Sequence, residues 1–209
     1  MIKLAICNVG DLDLSKSIKL LPPERKKKVD SFRFIKDKKL SCGAYLLLKK
    51  LLFEANILNP CFKTGKYGKL YLSNYKNIHF NLSHSGKIVA CVISDEEVGV
   101  DVEYNDSSID LNIARNYFFN SEYENIIKSH KPSDEFFNYW VLKESYMKYA
   151  GLGFQLELDS FEILINDEIK VKNNDKIKFN LFSIDDYKLG VASSYNIKSY
   201  TEYKIDELY

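Results

Sequence analysis

The sequence predicts an α+β fold made of two similar halves. A strongly amphipathic helical segment is followed by short strand-like segments, and the same order of helix then antiparallel strands recurs later in the chain. The two runs meet near residue 98, which divides the chain into residues 1–98 and 99–209. With 209 residues, 45% of them hydrophobic, the chain has ample material for a buried core.

Each element has its local reason. "IKLAICNV" reads as an opening strand, rich in β-branched residues and closed by Gly10-Asp11. A helical region begins at Pro22-Pro23, and residues 37–55 place Leu40, Ala44, Leu47, Leu48, Leu51 and Leu52 at three- and four-residue spacing, the period of a helix with one buried face. "IHFNLSHSG" alternates Ile78, Phe80 and Leu82 with His79, Asn81 and Ser83, so one side of that strand is oily and the other polar. "KIVACVIS" and "VGVDVE", separated by Asp95-Glu96-Glu97, read as an antiparallel pair joined by a short loop. Helices are expected at about 109–130 and 134–149, then strands at about 160–165, 178–183 and 188–194. Sequence likeness between the halves is too weak to call a repeat, and "KVKNNDKIK" reads as a solvated turn.

Composition excludes several classes. Charged residues make up 28% of the chain but leave a net charge of +1, so no global field favours nucleic acid or an anionic membrane. Cys7, Cys42, Cys61 and Cys91 are far apart with no C-x-x-C pair, which speaks against a zinc knuckle, a thioredoxin-like site or a disulfide scaffold and fits a reducing cytoplasm. His79 and His84 lack a third soft ligand for zinc. "MIKLAICNVG" is too short for a signal peptide and no apolar run reaches the roughly 20 residues of a membrane helix, so a soluble cytoplasmic protein is expected.

Three carboxylates point to chemistry. Asp101 and Glu103, two apart on a strand, face the same way while Val98, Val100 and Val102 face the other. Two such acids are either solvated on an exposed edge or share a cation, since repulsion otherwise raises one pKa. On "FFNYWVLKESYMKYAGLGF", Glu144 and Lys148 fall inside the apolar arc of Phe137, Trp140, Val141 and Met147. They are four apart, as a self-satisfying helix pair would be. The same placement, beside a carboxylate-bearing strand, suits Mg²⁺ with oxygen ligands and a lysine that holds a phosphate.

Basic residues concentrate in "PPERKKKVDSFRFIKDKK", as a solvated face, a nucleic-acid contact or a pocket for a small polyanion. The balanced charge and the lack of a base-stacking motif count against nucleic acid. "YGK" at 67–69 offers a glycine-permitted turn followed by a cation, and "LSHSG" places hydroxyls and an imidazole at a strand end. Ser83 beside His84 is no hydrolase dyad, because neighbours on an extended chain point apart.

Taken in order, "PPERKKKVDSFRF", "YGK", "HFNLSHSG", "VGVDVE" and "WVLKESYMKYAGLG" resemble the Sfp-type 4′-phosphopantetheinyl transferases, over residues 22–154. The resemblance implies a pseudo-twofold α+β monomer with its active site in the cleft between the halves. It implies transfer of the 4′-phosphopantetheine arm of coenzyme A to a serine of an apo acyl or peptidyl carrier protein, dependent on Mg²⁺, with release of adenosine 3′,5′-bisphosphate. By the same resemblance Asp101, Glu103 and Glu144 are the metal ligands and Lys148 grips the pyrophosphate. Ser83 contacts phosphate, and Arg25, Lys28, Ser41 and His84 meet the 3′-phosphate. Tyr67, Gly68 and Lys69 line the adenine pocket, and Glu122 of "YFFNSEYENI" is the general base toward the carrier serine. The rival readings are another Mg²⁺-dependent enzyme that cleaves a nucleotide diphosphate, and a nucleic-acid module that uses residues 22–39.

Overall fold

The computed structural model describes residues 1–209, the side chain of Phe154 excepted. In chain order the helices are α1 (Leu14–Lys19), α2 (Pro23–Asp30), α3 (Ile35–Glu54), α4 (Asn112–Tyr117), α5 (Asn120–Lys128) and α6 (Pro132–Ala150). The strands of the first run are β1 (Ile2–Asn8), β2 (Phe62–Thr64), β3 (Leu70–Leu72), β4 (His79–Ser85) and β5 (Ile88–Ser94). Those of the second are β6 (Val98–Tyr104), β7 (Ile163–Ile165), β8 (Ile169–Val171), β9 (Lys178–Ile184), β10 (Tyr187–Ser193) and β11 (Thr201–Tyr203).

Two sheets result, one ordered β11-β1-β5-β4 and the other β6-β10-β9, with β2-β3 and β7-β8 as small ribbons. The α+β class is as expected. β5 is buried along its whole length because it lies between β1 and β4 with both faces covered, which is why it reads as a continuous apolar run. Its Val89, Cys91 and Ile93 join the core under α3, whereas Ile88, Ala90 and Val92 pack with Val98, Val100, Val102, Leu189 and Val191 of the other sheet. A third core gathers under α6. The molecule is thus layered as helix, sheet, sheet, helix.

Three expectations need correction. The strands 88–94 and 98–104 do not pair: β5 is bonded to β1 and β4, and β6 to β10, so Asp95-Glu96-Glu97 is a crossover between sheets. Both edges of β5 are already occupied. The helix expected at 109–130 is broken at Phe118, whose backbone is extended, because Phe118 stacks on Phe136 with ring centroids 5.7 Å apart. Finally, the chain's end returns to the first half: β11 pairs in parallel with β1, and Leu208 is buried in the core under α3.

α6 begins with Pro132 at its first turn, followed by Asp134 and Glu135, and ends at Gly151 with φ +68°. Proline and acids at the start and a left-handed glycine at the end are what free amide and carbonyl groups at helix termini favour. Those stops set the reach of the helix that carries Glu144 and Lys148.

Candidate active site

β4 and β6 lie side by side where the two sheets meet, joined by side chains rather than by a backbone ladder. Asn81 Oδ1 accepts from the Val100 N–H (3.0 Å), Ser85 Oγ accepts from the Tyr104 N–H (3.1 Å), and the Ser83 hydroxyl donates to Asp101 Oδ1 (2.8 Å). The polar face of "HFNLSHS" therefore forms the seam between the halves. Period-two alternation displayed that face in the sequence, but not its partner.

Asp101 is buried at this seam, and Lys148 Nζ reaches the same Oδ1 at 2.6 Å and Ser83 Oγ at 3.1 Å. Lys148 thus bonds across elements to Asp101 instead of pairing with Glu144. Asp101 Oδ2 is also buried and has no hydrogen-bond partner. Glu103 and Glu144 open onto the same cavity of about 420 Å³, together with Arg25, Lys28, Ser41, Ser83 and His84. Burial, then the charge of Asp101, pushes the Glu103 carboxyl up to about 7, and the same two causes raise Glu144.

The cationic part of the lining comes from the first half. Arg25 donates from Nη2 to the Ser41 carbonyl (2.8 Å) and hydroxyl (3.1 Å), while its Nε is buried without a partner. Burial depresses the Arg25 guanidinium; burial and then Arg25 depress Lys28. His84 is pushed down chiefly by burial, with Lys148 and Arg25 adding to it. One cavity thus gathers three carboxylates of the second half, cations of the first half, and Lys148 bonded to Asp101. Lys27 and Lys36 of the basic run stay exposed.

Tyr67, Gly68 and Lys69 line an adjoining cavity of about 340 Å³ that shares Glu144 and Lys148 with the first. Gly68 has φ +89° with open space around it, so the turn depends on its left-handed conformation.

Of the predicted site residues, Glu122 alone is not brought to the cleft. Its Oε2 accepts from the Phe119 N–H (2.9 Å), its Oε1 from the Ile163 N–H (2.7 Å), and Lys143 Nζ lies 2.8 Å from Oε2. Lys143 also donates to the carbonyls of Leu158 and Phe161, each at 2.8 Å, and both side chains are buried. A carboxylate with both oxygens engaged cannot reach an incoming hydroxyl, so Glu122 anchors α5 to α6 and to the 158–163 segment. Sequence reasoning missed Lys143, Asn81 and Ser85. Glu122 makes the glutamate half of a capping box, but Phe119 at the N-cap has no side-chain acceptor, so the sequence did not show the usual signature.

The cleft suits a hard cation. Its donors are all carboxylate oxygens, one of them buried and unsatisfied, and burial followed by the charge of Asp101 raises Glu103 and Glu144. As the side chains stand, no three His, Cys, Asp or Glu among the described residues form a ready cage, and Lys148 holds one oxygen of Asp101.

Comparison with known proteins places this geometry. The "4'-phosphopantetheinyl transferase, N-terminal" family matches residues 10–96, and the "4'-phosphopantetheinyl transferase superfamily" matches residues 97–197. The "4'-phosphopantetheinyl transferase Sfp" of Bacillus subtilis (strain 168) is 30% identical over 156 residues, covering 72% of this chain and 69% of that protein. The chain belongs to the 4′-phosphopantetheinyl transferase superfamily. The "4'-phosphopantetheinyl transferase gsp" of Aneurinibacillus migulanus is 34% identical over 187 residues, 83% of this chain and 78% of that protein. The crystal structure of Thermotoga maritima holo-[acyl-carrier-protein] synthase shows a partial likeness, with a TM-score of 0.40 at 17% identity over 46% of this chain and 61% of that one.

Proposed function

We propose that this chain is a 4′-phosphopantetheinyl transferase that moves the phosphopantetheine arm of coenzyme A onto a serine of an apo acyl or peptidyl carrier protein, with Mg²⁺, releasing adenosine 3′,5′-bisphosphate. The observation that carries the reading is the mixed charge of one cleft: Asp101, with its buried unsatisfied oxygen, Glu103 and Glu144 line the same cavity as Arg25, Lys28, His84 and Lys148. Membership of the superfamily supports the same reaction.

In this reading Asp101, Glu103 and Glu144 would hold Mg²⁺, whose charge neutralises the coenzyme A diphosphate when bound. Arg25, Lys28, Ser41 and His84 receive the 3′-phosphate, and the Tyr67-Gly68 turn, with Lys69 behind it, receives the base. The serine oxygen forms a bond to the pantetheine-side phosphorus and gives its proton to water, while the bridging P–O bond breaks, its electron pair leaving on the adenosine 5′-phosphate. Lys148 and Ser83 donate to the phosphate oxygens, and Lys148 stabilises the charge that grows as the bond breaks more than it stabilises bound coenzyme A. The cleft draws both walls from one chain, which supports a monomer. Four free thiols, three of them buried, support a cytoplasmic setting.

The test incubates the protein with coenzyme A, Mg²⁺ and a panel of apo carriers and follows carrier mass. The wild type is expected to add the phosphopantetheine arm, and a chelator to stop it until Mg²⁺ is restored. Asp101→Ala and Glu144→Ala should each lower transfer by at least about 100-fold, as loss of charge stabilisation at a reacting centre does, with far-UV circular dichroism unchanged. Transfer at the wild-type rate by either variant would sink the ligand assignment; no mass gain on any carrier would sink the reaction.

A further inference from the structure

Behind the Tyr67-Gly68 turn, Lys69 Nζ makes three bonds to parts of the molecule far apart in sequence: Glu97 Oε2 at 2.7 Å, the Val98 carbonyl at 3.4 Å and the Tyr149 carbonyl at 3.2 Å. The first lies on the crossover between the sheets and the second at the start of β6. The third lies in the last turn of α6, where carbonyls lack a helical partner and a cation is favoured. The other oxygen of Glu97 is 3.0 Å from His79 Nδ1 at the start of β4. Glu97 therefore draws β3, β4 and the crossover together through two side chains.

This cluster forms a partition. Lys69 and Gly151 belong to the walls of both the Tyr67-lined cavity and a second cavity, of about 480 Å³, that also includes His79, Glu97 and Tyr149. A Cβ on Gly151 would lie 3.3 Å from Lys69 Cδ, and one on Gly153 would lie 3.4 Å from the Tyr67 carbonyl. The lysine stem thus lies close against the chain leaving α6, and that chain against Tyr67. With its ammonium already holding three acceptors, Lys69 is a strut rather than a free charge for a ligand.

We propose that Glu97 is a positioning residue for the nucleotide end of the cleft: it holds Lys69 across the crossover and the end of α6, so that the Tyr67-Gly68 turn stands ready for the base of coenzyme A. The inference rests on the transferase reading given above. Glu97 is half exposed, and exposed pairs contribute little to stability. The expected effect is therefore on coenzyme A binding rather than on folding.

The test measures coenzyme A binding by calorimetry and the steady-state constants of carrier loading, for the full chain and for Glu97→Ala, Lys69→Met, Lys69→Arg and the Glu97→Ala/Lys69→Met pair. Each of the first two should weaken coenzyme A about 5-fold, the value of one hydrogen bond. KM should rise with kcat nearly kept, and the melting temperature should hold. The double variant should be no worse than either single, because both break one strut, and Lys69→Arg should restore most of the affinity. If Lys69→Met weakens coenzyme A while Glu97→Ala leaves it unchanged or tightens it, the lysine touches the ligand itself and the inference falls. A wild type that loads carriers alongside an indistinguishable Glu97→Ala also overturns it while leaving the transferase reading intact; a wild type that binds no coenzyme A overturns both.

Discussion

In the first half the glycine that permits close packing lies on the helix: a Cβ on Gly43 of α3 would stand 2.5 Å from Val9 Cγ1. In the second half the glycines lie on the strands, and what they admit is helix backbone. A Cβ on Gly99 of β6 would be 2.0 Å from the Ser145 carbonyl oxygen, and one on Gly190 of β10 would be 2.5 Å from that of Val141. α3 buries a row of leucines that form the core beneath it, whereas α6 buries Lys143 and Ser145 among its apolar residues. The difference teaches why chemistry resides on one helix. A helix spaced from its sheet by leucines lends the cleft only Ser41 and Ala44, while one pressed backbone-first onto a sheet brings Glu144 and Lys148 to Asp101.

If that division is right, the sharpest way to break the second half is Lys143→Met. It leaves the buried Glu122 carboxylate without its ammonium and removes the donor from the Leu158 and Phe161 carbonyls. Breaking a buried ion pair from one side costs about 3–5 kcal/mol, read from urea unfolding. The deficit should depend on pH with a definite sign. Burial already raises Glu122, and loss of Lys143, which lowers it, raises it further. Its folded pKa then lies above the unfolded value, so the penalty is full above the folded pKa and shrinks as pH falls through it. Adding Glu122→Gln should recover part of the loss at neutral pH. A Lys143→Met deficit below about 1 kcal/mol, within the range of exposed pairs, would show that the pair anchors nothing.

The next effect separates geometry from stability. Gly99→Ala forces α6 away from β6, and overpacking of this kind costs about 1–3 kcal/mol. Carrier loading should fall further than stability does, since a displacement of about 1 Å in a reacting constellation can cost about 100-fold. Parallel thermal melts and transfer rates check this; a loss of activity no larger than the loss of folded protein would remove the positioning argument.

The sequence was most legible where a local pattern has one outcome. The leucine spacing of α3, the proline and glycine that bound α6, and the alternation of Val98, Val100 and Val102 with Asp101 and Glu103 all have single physical readings. Partner choice was not legible. Asp95-Glu96-Glu97 is turn-like whether it closes a hairpin or crosses between sheets, and the decision lies with β10, some ninety residues away, which takes the edge of β6. The return of β11 to β1 is equally non-local. The cleft residues could be named from motifs, yet Glu122 lies away from the cleft, since a carboxylate at a helix start serves a cap as readily as a catalyst. Likewise, Lys69 reads as a free cation lining the adenine pocket until its three acceptors are seen.

The smallest predicted effect is in the first half. Gly43→Ala sets a methyl against Val9 Cγ1 at 2.5 Å, which is too close, but the obstacle is the tip of a side chain and not a helix backbone. Alanine is favoured over glycine inside a helix by about 1 kcal/mol, which offsets much of the cost of moving Val9. Gly43 also faces Val9 and Leu12 in the core of its own half, so a small shift there does not move Asp101, Glu144 or Lys148. The melting temperature should change by no more than about 4 °C, what a net change of about 1 kcal/mol or less gives in a domain of this size, and carrier loading should keep its wild-type rate. Should Gly43→Ala silence transfer as fully as Gly99→Ala, both long helices would bear on the cleft alike, and the contrast between the halves would be one of packing style without consequence for catalysis.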